Sequence, residues 1–370
     1  MQRTIVISAN SIWNIVNFRG GLLKALAAQG IKVVIATPQG DPGKLPGEVR
    51  NLPIDRSGLN PLADALLAYR YFRLLREVRP CALLSFTIKP NIYGAIAARL
   101  ASVPSVANVS GLGTAFLKGG WFSRFVDILY RLAFARSHAV FFQNRDDRDL
   151  FLSRSLVTAA KARLLPGSGI DLDRFAPAKP LGSEAPVFLF IGRLLADKGI
   201  REFVEAAQQT KARFPGVRFQ LLGGLDPGNR TAVGEEELNQ WVAEGTVEYL
   251  GPTEDVRSFI AEASAVVLPS YREGLPRSLL EGGAMARPLI ATDVPGCRDI
   301  VEDGVTGLLC QVRSASSLAG AMARFAQMGV DQRQALGEAA RRKVEAEFDE
   351  RLVIEAYWEV LKPLIGIEKS

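Results

Sequence analysis

The chain has 370 residues, 48% of them hydrophobic and 23% charged, with a net charge of +6. That length exceeds one ordinary core and implies two domains, and the composition is that of a soluble, well-packed globular chain. Three cysteines (Cys81, Cys297, Cys310) without metal-ligand spacing argue against a disulfide framework and fit a reducing cytosol, and no signal-peptide run or 18-residue apolar span is present.

The charge is unevenly placed. Residues 1–170 carry 22 Lys/Arg against 9 Asp/Glu, and residues 171–370 carry 23 against 30. A first half at +13 suits an anionic partner such as a phospholipid surface or a phosphorylated substrate. Nucleic acid is the competing partner. No zinc finger, aromatic-basic RNA motif or basic tail accompanies the charge, so none is expected.

In chain order, 4–8 is a short apolar run, followed by a loop and a helical pattern over 20–29. Gly30 ends that helix and 31–36 reads as the next strand. A helix over 61–78 precedes Pro80, 81–86 is strand-like, 91–101 helical, 105–109 extended, 122–135 helical and 138–143 extended. Strands spaced by helices imply right-handed βαβ units and a parallel sheet. The Pro- and Gly-rich stretch 176–186 reads as a linker. Strands follow at 187–191, 217–222, 247–250, 265–269, 288–291 and near 307–310, with helices at 199–213, 235–243 and 255–262. Long helical patterns at 316–327, 331–347 and about 350–365 close the chain. Two doubly wound halves place ligands at the carboxyl ends of their strands, and the cleft between such halves is the default site.

The sharpest constellation is the stretch 269–284, PSYREGLPRSLLEGGA. A buried strand ends at Pro269, a short loop presents Glu273 and Gly274, and Pro276 suits the first turn of a helix that carries Glu281. Backbone N–H groups around Gly274–Arg277 then form a helix N-terminus, a ready anion site. One carboxylate would hold sugar hydroxyls at the loop and the other a ribose. Two solvated glutamates on a surface helix is the plainer alternative.

This stretch, together with Gly192–Arg193 and the Asp-Lys-Gly at 197–199, resembles the retaining family 4 glycosyltransferases. The resemblance implies an α/β GT-B fold, two Rossmann-like doubly wound parallel-sheet domains facing across a cleft. Residues 1–175 would bind acceptor and 176–351 the nucleotide-sugar donor, with a C-terminal helix of about 352–370 packing back on the first domain. It further implies that Arg193 and Lys198 bind the donor diphosphate and stabilise the leaving group. Glu273 would contact the donor sugar and Glu281 the ribose. The turn at Gly274, Leu275 and Pro276 would complete the diphosphate cradle, Gly192 would lie beside it, and the loop Gly251–Glu254 would hold the base. Arg193, Lys198 and Glu273 are the implied catalytic residues. No metal is implied, because no Asp-x-Asp lies near the cleft loops; Asp146 and Asp147 begin a helix and read as a cap.

The likeness runs nearly the whole length. NFRGGLLKAL (17–26), FTIKPNIYG (86–94) and NVSGLGTAF (108–116) resemble a bacterial subgroup that extends polyprenyl-diphosphate-linked sugars. Gly20 and Gly21 would let the first loop approach the donor phosphate, though an ordinary turn is the commoner explanation of such a pair. Asn17, Arg19, Lys89, Asn91, Ser110, Gly111 and Gly113 are the implied acceptor residues, with Lys89 meeting an acceptor phosphate. The donor implied is a UDP-sugar, with no cofactor beyond it. The setting implied is the bacterial cytoplasm, on the inner face of the membrane.

Two departures bear on mechanism. Many family 4 relatives carry a histidine in the loop that is Val109–Gly113 here, whereas the one histidine of this chain is His138, at the start of an expected strand. A mechanism with a histidine base is therefore not expected. Cys81 stands where relatives often show Asp, and reads as a buried strand residue.

Arg70, Arg73 and Arg76 among Leu66, Tyr69 and Phe72, and Arg124, Arg131 and Arg136 among Phe116, Trp121, Phe125 and Tyr130, suit an anionic bilayer surface. Core-facing helices with basic outer faces are the alternative. A GT-B epimerase, or a non-catalytic binding module with a degenerate site, are the competing functions. The first would need more acid/base groups, and the second would have lost one of Arg193, Lys198, Glu273 and Glu281.

Overall fold

The computed structural model describes residues 3–55, 60–111, 120–180, 182 and 185–366. By its internal contacts the chain divides into two units, one of Met1–Gly169 with Glu350–Ser370 and one of Ile170–Asp349. The division falls before the Pro-rich 176–186 stretch because Ile170 and Phe175 are already buried in the core of the second unit with Phe188 and Phe190.

The first unit holds a parallel seven-stranded sheet of β1 (Thr4–Ser8), β2 (Lys32–Thr37), β3 (Glu48–Asn51), β4 (Ala82–Phe86), β5 (Ser105–Val109), β6 (Ala139–Phe142) and β7 (Ala162–Leu164), in the order β3-β2-β1-β4-β5-β6-β7. Val6 pairs with Val34 and Leu83, and Ala107 with Ser85 and Val140, so the register is set from the centre outward. Its central strands are continuous apolar runs because both faces are covered. Val6, Val34 and Leu83 lie on one face under Leu67, Tyr71 and Leu75 of the helix Pro61–Val78 and Ala97 and Ala98 of Ala95–Leu100. Ala107, Val140 and Phe142 continue that face under Val126 and Tyr130 of Gly120–Phe134. The alternate residues Ile5, Ile7, Leu84 and Phe141 face the other way, against Leu23 and Leu26 of Gly20–Ala28 and Val353, Tyr357 and Leu361 of Glu350–Leu361. The period of two thus sorts the helices into two layers.

Local rules fix the helix ends. Asn60 accepts from the N–H groups of Leu62 and Ala63 with Pro61 behind it, and Arg79 closes that helix in a left-handed turn before Pro80. Residues 12–18, expected as loop, form the helix Ile12–Phe18, because Ser11 caps it by accepting from Asn14 N–H. The edge strands β3 and β7 escape a reading by apolar runs, being short and half-exposed. Asn144, rather than Asp146 or Asp147, caps the helix Arg145–Ser153, accepting from Asp147 N–H; the two aspartates sit in its first turn.

The second unit holds β8 (Val187–Ile191), β9 (Arg218–Leu222), β10 (Glu248–Gly251), β11 (Ala265–Leu268), β12 (Leu289–Thr292) and β13 (Gly307–Cys310), all parallel, in the order β10-β9-β8-β11-β12-β13. Relative to its own first strand this is the order of the first unit. The order in which strands are added to the sheet reverses between β8 and β11, which pair directly and in parallel through Phe188 and Ala265. Loops leaving the carboxyl ends of those two strands diverge and leave the crevice where this fold takes ligands.

Candidate functional site

Of the sequence-predicted donor residues, those of 192–198 and 273–281 follow β8 and β11 at that reversal, whereas Gly251 ends β10, Glu254 follows it and Gly20 lies in the first unit. After β8, Gly192 donates its N–H to Leu222 C=O at 3.0 Å and Arg193 follows at the surface. A short 3-10 turn, Ala196–Lys198, then leads through Gly199 into the helix Ile200–Arg213. Gly199 has φ +73, and a Cβ there would lie 2.0 Å from Pro269 C=O, so only glycine lets this turn meet the strand end of β11. The contact is completed by Tyr271 N–H and Ser270 Oγ, both donating to Asp197 C=O.

The result is a direct ion pair. Lys198 Nζ lies 2.5 Å from Glu273 Oε1, with the lysine side chain 26% and the glutamate 12% exposed. Glu273 N–H donates to Pro295 C=O, and Gly296 at φ +82 packs under Glu273 and Gly274, a Cβ there falling 2.6 Å from Gly274 C=O. Below the pair, burial and then the Glu273 charge push the Cys297 thiol well above its ordinary value, with Lys198 pulling the other way.

Pro276 is the N-cap of the helix Arg277–Ala284, with extended backbone one position before the first turn in which the sequence placed it. Glu281 is buried on this helix and accepts from Arg277 Nε at 2.7 Å. Burial raises the Glu281 carboxyl above its usual value, and Arg277 opposes that. Gly274 is buried and Leu275 half-buried in the turn between the two carboxylates. Arg193 does not join Lys198 and Glu273: its Nη1 pairs with Asp226 at 2.6 Å, at the surface. Gly251 ends β10 and accepts from Gly223 N–H at 3.0 Å, while Glu254 stands exposed in the following turn. Asp226, Arg277 and Gly296 are the site residues sequence reasoning missed. The Arg277–Glu281 spacing of four was legible, but Asp226 and Gly296 reach the site only through the fold.

The acceptor candidates belong to the first unit. Gly20 and Gly21, also of this unit but expected in a loop beside the donor phosphate, instead open the helix Gly20–Ala28. A Cβ at Gly21 would fall 2.4 Å from a Glu350 carboxylate oxygen, the movable end of that side chain. Arg19 is buried, its guanidinium 4.1 Å from the Phe86 ring centre, and Asn17 donates to Trp13 C=O. Lys89 pairs with Asp64 at 2.8 Å, the two side chains 13% and 5% exposed, and Tyr93 OH donates to the other Asp64 oxygen at 2.9 Å. Asn91 is buried, accepting from Ser85 Oγ and donating to Asn108 C=O. Asn108 in turn donates to Tyr357 OH at 2.7 Å, whose pKa burial pushes up to about 12. Ser110 and Gly111 are half-buried directly after β5. Gly113, with Phe116, lies outside the described residues. His138 sits exposed just before β6, at the end of the sheet opposite these loops. Cys81 is half-buried just before β4.

Two parallel sheets of one strand order, with charged loops at a switch point, define the GT-B class of fold. The structure resembles HepE of Anabaena, solved in complex with UDP and glucose, with a TM-score of 0.78 at 18% identity, covering 98% of this chain and all of that one. Residues 185–328 match the model of glycosyl transferases group 1, and residues 16–167 that of the glycosyl transferase 4-like domain. The chain belongs to this family and is a glycosyltransferase. It is 28% identical to the N,N'-diacetylbacillosaminyl-diphospho-undecaprenol alpha-1,3-N-acetylgalactosaminyltransferase of Campylobacter jejuni, over 93% of this chain and 94% of that one. It is 26% identical to the UDP-Gal:alpha-D-GlcNAc-diphosphoundecaprenol alpha-1,3-galactosyltransferase of Escherichia coli, over 68% of each.

Proposed function

We propose that the protein moves an N-acetylhexosamine or related sugar from a UDP-sugar, with retention, to a polyprenyl-diphosphate-linked sugar in bacterial surface-glycan assembly. The work is done in the cytoplasm, at the inner face of the membrane where such acceptors lie. Both relatives named above act, by their names, on sugars joined to undecaprenyl diphosphate. The observation that carries the reading is the Lys198–Glu273 pair at the β8/β11 reversal. A diphosphate arriving there displaces Glu273 from Lys198 and Asp226 from Arg193. The two cations then face the phosphates, and Glu273 is freed to accept hydroxyl hydrogens of the donor sugar. Buried Glu281 takes the ribose hydroxyls.

As the bond from the sugar C1 to the β-phosphate oxygen breaks, negative charge grows on that oxygen, where Lys198 and Arg193 stabilise it. The acceptor hydroxyl attacks C1 from the same face, the new glycosidic bond forms, and its proton passes to the departing phosphate oxygen. UDP leaves with that proton, so the step needs no protein base. The test is a panel of radiolabelled UDP-sugars with polyprenyl-diphosphate-linked acceptors, read as a larger lipid-linked product. Lys198→Ala and Glu281→Ala abolish the product; full activity in both variants overturns the assignment.

A further inference from the structure

Lys198 ends a three-residue turn, and a turn that short does not by itself keep a long, rotamer-rich side chain on target. The chain is pinned beside it at Asp197, whose C=O accepts from Tyr271 N–H at 2.9 Å and from Ser270 Oγ at 3.1 Å. On the other side of Lys198 the helix Ile200–Arg213 begins, with Glu202 in its first turn. Glu202 Oε1 accepts from Tyr271 OH at 2.6 Å. Tyr271 thus grips the chain just before Lys198 with its backbone and one helical turn after it with its side chain. Glu273, on the same loop as Tyr271, meets the Lys198 amine itself.

The Tyr271–Glu202 bond and the Lys198–Glu273 pair tie the same two loops, those after β8 and β11, but they respond differently to a ligand. In the proposed reaction a diphosphate takes Lys198 from Glu273, and that tie is lost when the donor binds. The bond to Glu202 has no such competitor. A phenol donating to a carboxylate is a charge-assisted bond, and the start of a helix favours the Glu202 charge. Glu202 Oε2 is buried and accepts no hydrogen bond among the described residues, so the carboxylate relies on Tyr271. Burial first, and then Glu202, push the Tyr271 phenol up to about 12, which leaves it a donor at neutral pH. Arg313, in the turn after β13, lies over the ring with its guanidinium 4.6 Å from the ring centre, so a third strand end steadies the same side chain.

We propose that Tyr271 is a positioning residue whose hydroxyl, bonded to Glu202, keeps the Lys198 amine aimed at the donor β-phosphate once Glu273 has released it. The inference deepens the proposed function and rests on its assignment of Lys198 to the donor diphosphate. In this role Tyr271 touches no reacting atom. Phenylalanine in its place keeps the main-chain bond to Asp197 and removes only the strut to Glu202.

The test measures binding of UDP and of UMP to the full chain by calorimetry, because UMP lacks the β-phosphate. The wild-type chain prefers UDP, and K198A loses that preference. Y271F binds UDP about tenfold more weakly and UMP as the wild type does, and its kcat for transfer falls about tenfold. E202A matches Y271F, whereas E202Q, whose amide oxygen still accepts from the phenol, keeps the wild-type preference. This second pair reads the same strut without altering the loop. Y271F added to K198A removes nothing more, since the strut then has no amine to aim. A tyrosine that only stabilises the fold would lower melting and leave the ratio of UDP to UMP affinity alone. A wild-type ratio in Y271F and E202A overturns the proposal, as does an equal loss for both nucleotides or an effect that adds in full to K198A. A wild-type ratio in K198A takes Lys198 off the diphosphate, and the proposal falls with that assignment. The expected binding pattern with no transfer to any lipid-linked acceptor leaves the positioning role standing and strikes the proposed acceptor instead.

Discussion

The two units share a strand order and differ in what they place at the strand ends. The second carries the exposed pair Arg193–Asp226 and the part-buried pair Lys198–Glu273, and of these the exposed one trades an internal counter-ion for an incoming phosphate at least cost. The first carries a neutral chain of bonds from Ser85 through Asn91 and Asn108 to Tyr357, and one ion pair, Lys89–Asp64, that is largely out of water. A pair of that kind resists exchange, because the ion left behind is desolvated and alone. One frame has been used twice, once to exchange charge and once to hold a shape.

The sharpest way to break that contrast is to remove one cation from each unit. Lys89→Met strands Asp64 in a buried position and lowers unfolding free energy by about 3 kcal/mol, read in urea. Lys198→Ala leaves stability nearly unchanged and lowers kcat by about a hundredfold or more, the cost of losing a cation aimed at developing charge. The reverse pattern, a stable Lys89→Met and an unfolded Lys198→Ala, would end the comparison. Tyr357→Phe is next in size. It deprives the buried Asn108 amide of its acceptor and costs about 1–3 kcal/mol, with donor KM unmoved, since the bond belongs to the first unit.

A smaller effect separates the two carboxylates of the second unit. The Glu281 carboxyl is raised by burial, with Arg277 opposing. A folded carboxyl above its unfolded value binds its proton more tightly when folded. The stability this gives is full below the ordinary carboxylate pKa and is lost as pH rises through the raised one. Donor binding runs oppositely, because the ionised carboxylate accepts the ribose hydroxyls, so donor KM climbs as pH falls through the same window. Arg277→Met removes the opposing cation and moves both limbs to higher pH. A donor KM with no acid limb in either protein would take Glu281 out of the ribose role.

How much of this was legible follows from where the information lies along the chain. Apolar runs at 4–8, 105–109 and 187–191 gave strands because both sheet faces are covered. The Pro and Gly punctuation of 269–284 gave the turn and helix that carry Glu273 and Glu281, since all its determinants are local. β3 and β7 carry little apolar signal, because an edge strand is only half-buried. The helix Ile12–Phe18 was hidden by its lack of charged residues and is announced only by Ser11. The counter-ions were the largest gap. Lys89 looked like a cation open to a ligand, yet Asp64, 25 positions earlier, faces it only because Pro61–Val78 lies beside the loop after β4.

The smallest prediction is the one that reads ion exchange most directly. Arg193 is 60% exposed and Asp226 34%, so their pair contributes about 0.5 kcal/mol or less to stability, and Asp226→Ala melts like the wild type. If Asp226 is only a placeholder for the diphosphate, its removal spares the donor a competitor and lowers donor KM about threefold, with kcat unchanged. If it instead aims Arg193 at the phosphate, donor KM rises and kcat falls together. Exchange at the second unit's strand ends requires the first result, in steady-state kinetics at low salt, where an exposed pair is least screened. The gap between wild type and variant then closes as salt is added.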